Sequence, residues 1–73
     1  MVAMPQYEVM TGPDAVVLVR GRDALDAASR ALDGHPEGLT LGGTDPHGWE
    51  DVLRNGTAVG QVRPHQRMRF RRD

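Results

Sequence analysis

The sequence predicts an α+β fold: one small domain, residues 1–73, built from a mostly antiparallel sheet of four or five strands with a helix packed on it. Three observations carry this. Short alternating or β-branched runs recur between Gly- and Pro-rich breaks. One segment, about 24–33, switches to helical periodicity. Finally, 73 residues with 38% apolar content leave room for a single core.

The elements follow in order. Residues 1–5 are expected to lie outside the ordered body. Gln6-Tyr7-Glu8-Val9-Met10 alternates polar and apolar residues, as a half-buried strand does. Thr11-Gly12-Pro13-Asp14 is a cluster of turn formers, and Ala15 to Arg20 is a second, apolar strand, so the pair reads as a hairpin. In that strand Ala15, Val17 and Val19 share one face while Val16 and Leu18 share the other. Both faces are apolar, which asks for cover on both sides. A homodimer that stacks sheets through Val16 and Leu18 supplies it, and Val17 is expected in the core.

Gly21 ends this strand, and Asp23 is placed to cap a helix with Asp26 in its first turn. Leu25, Ala28 and Leu32 form the apolar stripe, flanked by Ala24 and Ala31. Gly34 and Pro36 supply the stop. Residues 37–41 suit a short third strand.

The stretch 46–54 supports two readings. As a second short helix, it has Asp45 as cap, Pro46 at the first position, and Trp49, Val52 and Leu53 on one face, covering the strand Val16–Leu18. As a strand, it joins residues 57–62 through Asn55-Gly56, a strong two-residue hairpin signal. Glu50-Asp51 and Val52-Leu53 do not alternate, so the helix is preferred. Val59 is expected to point inward in the next strand, and Pro64 to break it. Residues 66–72 alternate again. Trp49, the one tryptophan, is expected as a core or sub-core anchor.

Composition excludes several classes of function. With no cysteine there is no disulfide framework and no Cys-based zinc site. The longest apolar run, Ala15–Val19, is far too short to span a membrane, and no stretch resembles a signal peptide, so a cytoplasmic protein without membrane contact is expected. All nine basic residues are Arg, and Ile is absent. Lys and Ile have AT-rich codons, so both absences point to a GC-rich bacterial or phage genome and say nothing about phosphate recognition.

Groups able to do chemistry are few. Ser29, the single serine, falls inside the helix. His35, His47 and His65 are spaced too widely to share a local element, and each stands beside Pro or Gly as a solvated loop residue would. Gly42-Gly43-Thr44 lacks the spacing and the Lys of a phosphate loop. No cofactor or metal is therefore expected.

Charge is more informative. Residues 1–62 carry four Arg and nine acids, whereas residues 63–73 carry five Arg and one Asp. Arg67, Arg69 and Arg71 alternate with Met68 and Phe70, flanked by Arg63 and Arg72. The expectation is a non-enzymatic binding or adaptor domain acting through protein–protein contact or homo-oligomerisation. The alternative is nucleic-acid binding through those five arginines. A third reading is a small enzyme or ligand-binding domain using loop 42–49.

Overall fold

The computed structural model describes residues 4–32, 35 and 37–65. Six elements follow in order: β1 (Gln6–Gly12), β2 (Ala15–Arg20), α1 (Ala24–Leu32), β3 (Leu39–Thr44), β4 (Glu50–Arg54) and β5 (Thr57–Pro64). The strands make one antiparallel sheet in the order β2-β1-β5-β4-β3. The α+β expectation therefore stands, with five strands and one helix among the described residues. The alternating segment 66–72, with Arg67, Arg69, Arg71 and Arg72, lies outside the described residues, as do residues 1–3 and Asp33.

The second helix does not form; 46–54 supplies a loop and β4. The Asn55-Gly56 pair decides the matter, because φ of 52° and 88° at the two positions gives a two-residue turn that matches the twist of the flanking strands. Alternation fails in the sequence because each face of β4 carries one acid and one apolar residue. Glu50 and Val52 share a face with Val62, and Asp51 and Leu53 take the other. The turn is further held by Asn55 N–H donating to Gly38 O at 3.0 Å. Arg54 donates to the carbonyls of Glu37 and His35, tying β4 to the connection that follows α1.

Helix α1 starts where Asp23 Oδ1 accepts the Asp26 N–H at 2.8 Å while Asp26 Oδ2 accepts the Arg22 N–H at 2.9 Å. The first bond satisfies a donor that the helix itself leaves open, and the second ties the residue before the cap to the first turn. Its small residues Ala27, Ala28 and Ser29 are buried, which brings the helix backbone close to the sheet. Val9, Val52 and Val62 beneath them are fully buried, Leu39 is nearly so, and Leu25 and Leu32 pack at the margin.

Three inward assignments change. Val17 lies on the helix side, paired with Val9, yet is 41% exposed because β2 is an edge strand and the helix does not reach over it there. Val59 is 38% exposed, and Val62 is the buried valine of β5. The cause is a bulge: β4 pairs Val52 with Gly60 and Leu53 with Ala58, leaving Val59 as the extra residue. Gly60 is required beside it, since a Cβ there would stand 2.7 Å from Met10 O. Trp49 is half-buried and outside the core, on the far side of the sheet from β2.

β5 also continues through Pro64, which pairs with Tyr7. His65 N–H donates to Gln6 O, so the bonded pairs between β1 and β5 fall at alternate positions and the imino nitrogen of Pro64 faces away from β1, past the start of β4. No ladder bond is lost there.

The valines of β5 supply a direct check. Val62→Ala should lower stability by about 2 kcal/mol, while Val59→Ala should change it by less than about 0.5 kcal/mol, both read from urea unfolding midpoints. Equal losses at the two positions would contradict the bulge.

Candidate functional site

Directly paired residues in an antiparallel sheet point to the same side. The helix covers the side that carries Tyr7, Val9, Val62 and Val52. On the other side the register sets out rows across the strands. One row runs Leu18, Glu8, Arg63, and the next runs Val16, Met10, Gln61, Asp51. No described element lies over these rows.

The first row holds the site's charge. Arg63 Nε donates to Glu8 Oε1 at 2.7 Å, and His65 Nδ1, two residues further along the same face, lies 2.8 Å from Glu8 Oε2. A carboxylate only accepts, so the imidazole Nδ1 is the donor. Arg63 also donates to the carbonyl of His47 at 3.3 Å and lies over the Trp49 ring, 4.4 Å from its centroid. Trp49 is thus a platform for a guanidinium. The bonds from His65 and then Arg63 hold the Glu8 carboxyl below its ordinary value.

The loop between β3 and β4 is built around Asp45. Its Oδ1 accepts the N–H groups of His47 and Trp49 at 2.9 and 3.0 Å, and its own N–H donates to Trp49 O at 2.8 Å. Asp45 caps backbone as the sequence suggests, but the backbone of a turn and not of a helix. A depression of about 360 Å³ between this loop and β5 is lined by Glu8, His47, Gly48, Arg63 and Pro64. Its two charged side chains satisfy each other, and the Asp45 carboxylate is turned into the loop.

Of the five arginines singled out in the sequence, Arg63 alone is described, and it is internally paired. His65, expected as a solvated loop residue, is half-buried against Glu8. Ser29 Oγ donates to Asp26 O at 2.9 Å from a buried position. Among the described residues no three His, Asp or Glu side chains gather as metal ligands, and no helix is long and apolar enough to cross a membrane. Val16 and Leu18 stand where the strand alternation puts them, on the uncovered face, 49% and 53% exposed. Beside them a second depression of about 320 Å³ is lined by residues that include Met10, Pro13, Asp51, Val59 and Gln61.

Glu8 and its contacts escaped the sequence reading because the pairing of β1 with β5 brings Glu8 to Arg63 and His65, 55 and 57 positions away, while Trp49 was expected as an anchor and not as a platform for Arg63. The one signal was the polar phase of Glu8 in β1, which placed it on the open face without naming a partner. Comparison with protein-family models, with curated proteins and with solved structures finds no match.

The Glu8 cluster has a defined pH signature. A carboxyl with a lowered folded-state value adds stability above its ordinary value of 4.5 and loses it as pH falls toward the lowered one. Glu8→Gln should therefore be less stable than the parent at pH 7, by about 1 kcal/mol after solvent screening. The difference between the two proteins should shrink steadily below pH 4.5. A constant difference across that range in thermal melts would show that Glu8 contributes no charge-dependent stability.

Proposed function

We propose that this chain is a non-enzymatic binding domain that works through protein–protein contact, with a second copy of itself as its partner. The observation that supports this reading is the exposure of Val16 and Leu18 on a sheet face that no described element covers. Exposed aliphatic side chains on a regular strand lose solvation cost when a partner covers them. The polar groups nearby offer little reactive chemistry in support of an enzyme. Glu8 is neutralised by two donors, Arg63 is held by Glu8 and Trp49, Asp45 is spent on its loop, and Ser29 is buried. The same pairing of Arg63 weakens a nucleic-acid surface, because a guanidinium already bonded to a carboxylate releases few counterions when it meets phosphate.

Sedimentation equilibrium tests the reading, run at low and moderate salt with and without a random DNA duplex. The expected outcome is concentration-dependent self-association that duplex leaves unchanged and that Val16→Asp weakens. A monomer at every concentration overturns it. So does a monomer that binds duplex and releases it with salt; four arginines without Arg63 would give a log–log slope near about −3.6.

A further inference from the structure

We infer that the self-contact is edge to edge: β2 pairs antiparallel with β2 of a second copy, about a two-fold axis at Val17, to form one continuous sheet. This rests on the self-association proposed above and specifies its geometry.

The hydrogen-bond alternation shows which backbone groups β2 has to offer. Gly21 N–H donates to Pro5 O at 3.1 Å, so Gly21 is in a bonded pair with the strand beside it. Stepping by two along the register places Val19 and Val17 in bonded pairs with Tyr7 and Val9. The N–H and C=O groups of Val16, Leu18 and Arg20 then point out of the sheet. The bond from His65 N–H to Gln6 O fits the same phase, since it assigns the even residues of β1 to β5 and its odd residues to β2.

The side chains distinguish edge pairing from face stacking. Leu18 and Val16 are exposed on the open face, but Val17 is 41% exposed on the helix side. A copy stacked on the open face would cover Val16 and Leu18 and leave Val17 in water. A copy added at the edge covers all three, because each side chain meets a neighbour on its own side of the sheet.

Register follows from charge. Centring the axis on Val17 pairs Val16 with Leu18, Ala15 with Val19, and Asp14 with Arg20, each with its counterpart in the other copy. The outward groups of Val16 and Leu18 then form the bonded pairs. Asp14 and Arg20 are both exposed, and among the described residues neither has a charged partner in its own chain. Centring on Leu18 instead sets Arg20 against Val16 and Asp14 against Arg22, which already pairs with Asp26 in its own chain and lies beyond the end of β2. The opposite edge is unsuited to such pairing, since β3 carries Gly42 and Gly43 within an irregularity between Leu41 and Thr44.

The test combines a backbone variant with a charge exchange, read by sedimentation equilibrium from micromolar to millimolar protein; an interface of one strand is small and gives a weak dimer. Leu18→Pro removes an outward N–H that the chain's own ladder does not use, and should weaken dimerisation at least about tenfold. Asp14→Arg and Arg20→Asp should each weaken it by roughly tenfold, through like charges at both ends of the pairing. Mixed one to one, the two charge variants should recover the parental affinity as a heterodimer, an outcome that does not depend on Leu18→Pro folding. A parental dimer that is indifferent to the charge variants, with no gain on mixing, overturns edge pairing while leaving self-association in place. A parental monomer overturns both.

Discussion

A nine-residue helix is about 13.5 Å long, and five strands set about 4.8 Å apart place their outermost backbones roughly 19 Å from each other. One such helix cannot cover even one side of this sheet. It sits over β1 and β5 and reaches β2 and β3 in part, and no described element lies over the opposite side. The core is accordingly limited to Val9, Val52, Val62 and Leu39 beneath Ala27 and Ala28. The small residues of α1 are the local answer to this shortage, because they let the helix approach closely and exclude water from a narrow strip. The bare side and the apolar edge are what remains.

That bare side is not uniform, and its pattern follows from which strands are neighbours. β1 and β5 lie at the centre, where a side chain on the open face is shielded on both flanks by adjacent strands. The central row there is occupied by an ion pair, Glu8 with Arg63, closed by His65 and Trp49. Central polar residues are well placed to satisfy one another, and the bare sheet gains solubility from their charge. Toward β2 the row becomes aliphatic at Leu18, and the next row starts at Val16 beside Met10. Charge protects the middle of the face, whereas among the described residues the edge strand carries charge only at its two ends.

Local signals in the sequence are reliable wherever one segment decides its own structure. The hairpin through Gly12-Pro13-Asp14, the cap at Asp23 and the extent of α1 were all legible, because each depends on residues within a turn or two of one another. The 46–54 segment was misread because binary pattern outweighed turn chemistry. A strand with an acid on each face breaks alternation, whereas Asn55-Gly56 specifies a backbone conformation directly. Val59 failed for a different reason, since a bulge shifts the phase of a strand, and Gly60 beside it was the one local mark of the bulge. The charged cluster was not legible at all. Glu8 is separated from its other members by most of the chain, and their meeting depends on β5 closing against β1, which no local rule states.

Backbone accounting links these features. Every strand in an antiparallel sheet alternates between groups that face one neighbour and groups that face the other. In β1 and β5 both sets are used, and Pro64 falls where its missing donor is not needed. At the β3 edge, an irregularity and two glycines break up the outward set. At β2 the outward set is complete, regular and framed by exposed aliphatic side chains on both faces. An edge left this way exposes a protein to indiscriminate pairing, unless its ends carry charges that favour one register over the rest. Asp14 and Arg20 occupy those ends, one before the strand and one at its close. Their opposite signs are matched by an antiparallel copy and opposed by a parallel one. Left uncovered among the described residues, the edge thus carries a charge bias of its own toward an antiparallel copy.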